Sequence, residues 1–218
     1  MTRDEATAIV ATGLGFRTDQ NTNIYLALQE AQRELELGKT LPKFLIQEDA
    51  ALVLASGAFS VNLPTGFIRE VDDDGLRYSA TGNPPTDLVF LQRKRFKEAL
   101  LGNAIVSGSG EARAPSIYVI RKATINFVTV ADRTYNLSWS YYKNDTVIST
   151  SVNGTNGWLT NAPDWLLNEA GWRLAMALRN QSAIQLFDTK RNRARAAFFG
   201  EQIVSEEAGG PIAMGEGL

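Results

Sequence analysis

The chain has neither cysteine nor histidine among its 218 residues. Together these absences remove disulfides, thiolate zinc sites, imidazole metal ligands, Ser-His and Cys-His nucleophile pairs and every histidine acid or base. Any enzyme chemistry left would rest on carboxylates, lysine, tyrosine or an oxygen-ligated metal. A chain without thiols also suits a particle that must persist outside a cell with no redox dependence. An excess of one charge is lacking too. Lys and Arg number 22 against 24 Asp and Glu, a formal net charge of -2, so no global field announces a nucleic acid or an anionic membrane. No window approaches the ~18 apolar residues of a membrane span. The N-terminal MTRDEATAIVATGLG has early acids and only a short apolar patch, unlike a secretion signal. The expectation is a soluble protein that does not follow the standard secretory route, in which the glycosylation-like triplets at Asn136, Asn144 and Asn153 are chance.

What is present is ample apolar material, 44% of the residues, enough for a sizeable core in one domain or a domain with a sub-domain. Thr2 and Glu5 have capping-box spacing and Gly13 offers a stop, which predicts a helix over residues 3–12. In NTNIYLALQEAQRELELGK, Ile24, Leu28, Ala31 and Leu35 recur at helical spacing, Gln32 and Glu36 fall among the polar remainder, and Gly38 and Pro42 end the run. From residue 50 the period changes to that of strands. AALVLAS and AFSVNL around Gly57-Ala58 read as a hairpin, followed by a type II turn candidate at Pro64-Thr65-Gly66. Residues 76–80 and 87–91 look extended, QRKRFKEALLG reads as a short helix ending at Gly102, and 102–115 as a loop. Residues 116–142 read as a three-stranded meander whose last strand alternates Tyr135, Leu137, Trp139 and Tyr141 with polar neighbours.

Pro163 suits the first turn of a helix carrying Leu166, Ala170, Leu174 and Ala177, with Trp165 and Trp172 read as core. A further helix with Ile184, Phe187, Ala194 and Phe198 is predicted to end at Gly200. The order of helices, then strands, then helices predicts an α+β fold, a helical body with an inserted antiparallel β sub-domain. The expected division is residues 1–49 for the N-terminal helices, 50–160 for the β-rich insertion with one short helix, 161–202 for the C-terminal helices, and 203–218 for an extended arm. The arm's isolated apolar points are Ile203, Val204, Ile212, Met214 and Leu218.

Three features invite a chemical reading. VDDDGLR sets Asp72, Asp73 and Asp74 side by side before a glycine, whereas a calcium loop needs alternating ligands and a closing Glu, so a solvated Asp-Gly turn is the simpler reading. Two basic clusters, Arg93, Lys94 and Arg95 with Lys97, then Lys190, Arg191, Arg193 and Arg195, have no interleaved aromatics of the nucleic-acid type. They read as solvated faces, with ion pairs between subunits as the next reading and phosphate contact as the third. The first cluster, placed at a predicted helix start, calls for a compensating neighbour. No P-loop is present, and neither a cofactor nor a metal is expected.

The succession ALQEAQREL, FSVNLPTGFIREVDDDGL, PPTDLVFLQRKRFKEA, APSIYVIRKATINF, TYNLSWSYYKND and NAPDWLLNEAGWRLAMALRN resembles the head-to-tail adaptor (connector, or head-completion) proteins of tailed bacteriophages, over about residues 3–200. The LPTGF turn, the REVDDDG step and the NAPDWLL helix start are its most specific pieces. The resemblance implies a non-catalytic virion protein of the neck, assembled in the host cytoplasm. Such a protein forms a ring, commonly dodecameric, on the portal protein, extends the DNA channel without reading sequence, and docks a tail or nozzle protein. It also implies that the C-terminal arm reaches the portal, and that the acids at 72–74 and the two basic clusters are possible interface charges. Two other classes stay open at this stage: a virion-associated peptidoglycan or polysaccharide hydrolase working through paired carboxylates, and a carbohydrate- or protein-binding β module that would expose the Tyr135, Trp139 and Tyr141 face.

Overall fold

The structure is a computed structural model of the chain and describes residues 1–71, 75–79, 88–95, 112–151 and 153–208, with the backbone alone for 201–208. The fold is α+β and divides into two compact units. One is a helical body made of Met1–Leu45 with the described residues from Asp145 onward, and the other is a β-rich unit, Ile46–Asn144, inserted between them in sequence. No described helix is long and apolar enough to cross a membrane.

Among the described residues the body holds α1 (Arg3–Gly13), α2 (Asn21–Glu36), α3 (Gly157–Asn161), α4 (Pro163–Ala177) and α5 (Gln181–Ala208). The start of α1 is fixed by a reciprocal box: the Glu5 amide donates to Thr2 Oγ1 at 3.3 Å and the Thr2 amide donates to Glu5 Oε2 at 2.8 Å. The Thr2 amide holds the Glu5 carboxyl below its ordinary pKa. Pro163 opens α4 at the position where its missing N–H costs nothing. Trp165, Leu166, Leu167, Ala170, Leu174 and Ala175 are buried on more than one face of α4, because α1, α2, α3 and α5 all pack on it. Gly13 on α1 and Gly171 on α4 form a notch for one ring: a Cβ at either would lie 2.4 Å from the buried Phe187 of α5. Arg179, at φ +53°, breaks the chain between α4 and α5, and the Asn180 side chain accepts from the Ala183 amide at 3.2 Å to begin α5.

One helix end differs from expectation. Helix α5 does not stop at Gly200 but continues to Ala208, so Ile203 and Val204 lie on its last turns rather than in an extended arm. A single interior glycine costs a helix only about 1 kcal/mol, and the following Glu, Gln and Ala residues favour continuation.

The β unit has two sheets. The first runs β1 (Ile46–Leu54), β9 (Tyr135–Lys143), β4 (Arg77–Ser79) and β5 (Leu88–Phe90), with β3 (Phe67–Glu70) also paired to β9. The second runs β2 (Ser60–Asn62), β8 (Thr124–Phe127), β7 (Ile117–Arg121) and β6 (Gln92–Arg93). All pairs are antiparallel except β6 with β7. One core is shared by both sheets: Leu137, Trp139 and Tyr141 of the first meet Tyr118, Ile125 and Phe127 of the second. The predicted alternation of β9 holds, with Tyr135, Leu137, Trp139 and Tyr141 all buried. The type II turn holds too. The Phe67 amide donates to Pro64 O at 3.2 Å and Gly66 takes φ +78° at the position that requires it.

Three strand expectations are corrected. AALVLAS and AFSVNL do not pair as a hairpin, because the chain changes sheets at Gly57, whose amide donates to Ala131 O at 2.8 Å. The meander is likewise only a hairpin, β7 with β8, after which the chain crosses to put β9 in the other sheet. Alternation reports which face of a strand is buried, not which strand lies beside it, so two packed sheets and one meander look alike in sequence. Gln92 and Arg93 form a strand rather than a helix start, and the rest of that predicted helix, 96–102, lies outside the described residues.

Candidate interaction surfaces

Buried polar groups in the body are organised around α2. Gln32 Oε1 accepts from the Ile148 amide at 3.2 Å and from Asn156 Nδ2 at 3.1 Å, while Gln32 Nε2 donates to Glu36 Oε1 at 2.9 Å and to Thr146 O at 3.2 Å. Glu36 Oε1 also accepts from Trp158 Nε1 at 3.0 Å and from the Asp145 amide at 3.2 Å. This network ties the first stretch of the body after the insertion, residues 145–148, to α2, and it fully engages two side chains that helical spacing assigns to the polar face.

A second buried carboxylate, Glu169 of α4, is held from two helices: Arg173 Nε lies at 3.0 Å and Arg191 Nη1 of α5 at 3.3 Å. Arg191 also pairs with Asp188 at 2.8 Å and lies 3.8 Å above the ring of Trp172. One member of the second basic cluster is thus engaged inside the body. Lys190, Arg193 and Arg195 are partly or fully exposed on α5.

In the β unit the acid that matters near VDDDG is Glu70, which the sequence reading passed over. Its side chain is 2% exposed, Arg93 Nη1 lies 2.5 Å from its Oε2, and the Tyr118 hydroxyl donates to its Oε1. Glu70 and its two partners come from different sheets, so the pair joins the two layers. Glu70 is the compensating neighbour that the first basic cluster called for, although the context is a strand. Asp72, Asp73 and Asp74 lie outside the described residues, between β3 and β4. Among the described residues the buried carboxylates Glu36, Glu70 and Glu169 each meet donors from their own unit, as structural acids do. The Tyr135, Trp139 and Tyr141 face is interior, which removes the reading as a β module binding through that face.

Two of the open grooves formed by described residues of the body stand out. One of about 540 Å³ lies along α1 and α2 and includes Arg3, Ala11, Phe16 and Tyr25. Phe16 is 77% exposed and takes φ +61°, a conformation that a bulky residue adopts only at a cost. The other, of about 720 Å³, lies between α1, α4 and α5. Leu37 of the body, and Val53 and Phe90 of the β unit, add isolated exposed apolar side chains. Of the predicted arm, Ile212, Met214 and Leu218 lie outside the described residues.

Set against known families, residues 1–215 match the family model described as SU10 adaptor protein. No curated protein matches the chain.

Proposed function

The chain belongs to the SU10 adaptor protein family, a bacteriophage adaptor family, and on that footing we propose that it is a non-catalytic head-to-tail adaptor of the virion neck. In this reading copies of the chain form a ring, of twelve members, beneath the portal protein. The ring prolongs the DNA channel without base-specific contact and offers a tail or nozzle protein its docking surface. The family match over residues 1–215 carries the reading. The structure is consistent with it: the described buried acids Glu36, Glu70 and Glu169 are built into the core. Ile212, Met214 and Leu218, beyond the last turns of α5 that hold Ile203 and Val204, are assigned to portal contact. Asp72, Asp73 and Asp74, with Lys94, Arg95, Lys190, Arg193 and Arg195, are assigned to neighbouring chains. The test is co-sedimentation with the portal protein of the same phage. Removing residues 209–218 is expected to weaken binding with no change in the helical circular dichroism of the body. Unchanged binding would contradict the assignment.

A further inference from the structure

The groove between α1, α4 and α5 has an apolar floor and a basic rim. Helix α5 contributes Leu186, Phe187, Lys190, Arg193, Ala194 and Ala197, whose spacing places them on one face. Ile9 and Leu186 at its edges are 48% and 41% exposed, unusual for large aliphatics beside a buried ring. Among the described residues Lys190 and Arg193 have no ion-pair partner, and Asp164 is the one acid of the lining. The groove is therefore apolar with a net positive edge.

Residues 209–218 read GGPIAMGEGL: two glycines and a proline, then Ile212, Met214 and Leu218 with Glu216 as the single charge. We propose that this segment folds back along α5 and occupies the groove of its own body in the unassembled protein. The lengths agree. At about 1.5 Å per helical residue, Ala197 lies about 16 Å, Arg193 about 22 Å and Leu186 about 33 Å back from Ala208. At about 3.3 Å per extended residue, and with up to two residues spent on reversal, Met214 reaches about 13–20 Å, Glu216 about 20–26 Å and Leu218 about 26–33 Å. Met214 then meets Ala197, Glu216 meets Arg193 and Lys190, and Leu218 meets Phe187 and Leu186. Gly209 and Gly210 permit the reversal, since glycine accepts the positive φ of tight turns. The tether favours the groove of the same chain over that of another by raising the effective concentration. Docking itself does not depend on the adaptor reading. On that reading, it keeps the portal-contacting residues covered until a partner with stronger affinity displaces them.

The absence of native cysteine makes a direct test available in the full chain. Met214→Cys is combined with Ala197→Cys, on the groove face of α5, or with Arg195→Cys, about 20 Å back from Ala208 on the opposite face. Oxidation of dilute protein is followed by mass and by non-reducing gels. Docking predicts a monomeric internal disulfide that forms on the order of tenfold faster with the Ala197 partner, as expected for a site of high effective concentration. Lys190→Glu with Arg193→Glu is expected to slow the reaction, and Glu216→Lys to restore it. Equal rates on the two faces, or disulfides only between chains, would overturn the proposal. No portal protein enters the assay, so failure here leaves the adaptor reading standing.

Discussion

The body and the β unit both pack aromatic rings, and they differ in how much buried polar bonding accompanies that packing. The body joins its segments through an aromatic cluster, in which Trp165 meets Trp158 at 5.7 Å and Phe199 at 5.3 Å, and adds directional bonds to it, with Gln32, Glu36, Asn156 and Trp158 in one buried network and a ring seated between two glycines. The β unit relies on aromatic volume: Phe67 stacks on Trp139 at 5.0 Å, Tyr141 packs on both, and Tyr78 meets Tyr135 edge-on at 4.8 Å. The ion pair of the buried Glu70 with Arg93 pins two sheets that the aromatics already hold. A hydrogen-bonded junction tolerates little change of side-chain chemistry, whereas an aromatic core tolerates little loss of volume. The two units should therefore fail under different insults.

The largest effect is expected from Trp139→Ala, which empties the middle of the β core at a cost of about 3–5 kcal/mol. Urea unfolding read by amide exchange should show protection lost from β1, β8 and β9 and retained in α4. Equal loss in both units would erase the distinction. Gln32→Ala comes next. It strands the Ile148 amide, at about 1–3 kcal/mol for a donor left unpaired, while Asn156 Nδ2 keeps its bond to Thr146 O, and the loss should fall on body amides. Third is Gly171→Ala, which forces a methyl against Phe187 and should cost about 1–3 kcal/mol. Adding Phe187→Leu should return part of that stability, and a double-mutant cycle measures the coupling.

The smallest effect at neutral pH, and the most selective, is alkaline. Burial pushes the hydroxyls of Tyr78, Tyr135 and Tyr141 above their ordinary pKa, with Asp132 adding to the shift at Tyr135. The folded state thus retains protons that the unfolded chain releases near pH 10. The stability they contribute is complete below about pH 10 and lost as pH rises through the raised folded values. Of the six tyrosines only Tyr25 is in the body, so the β unit should open first in a pH titration followed by exchange.

Periodicity made much of this architecture legible before the structure. Ile24, Leu28, Ala31 and Leu35 are buried as their spacing requires, as are Leu166, Ala170 and Leu174. The capping box at Thr2 and the turn at Gly66 are written in a few adjacent residues, where local chemistry decides the outcome. Strand partners were not legible, because β1, β2 and β9 take theirs from distant segments and a strand's pattern names a face only. Nor were the buried roles of Gln32, Glu36 and Glu70. Polar residues at these positions look solvated until the chain brings their donors to them, and the signal lies in the tertiary contact itself. Gly13 was legible in part: it ends α1 as it reads, and its missing Cβ also makes room for Phe187.

The adaptor reading is tested most directly by electron microscopy of the purified protein mixed with the portal protein of the same phage. A closed ring of the chain seated beneath the portal, coaxial with its channel, is the predicted result. Protein that stays monomeric in solution beside bare portals would contradict it.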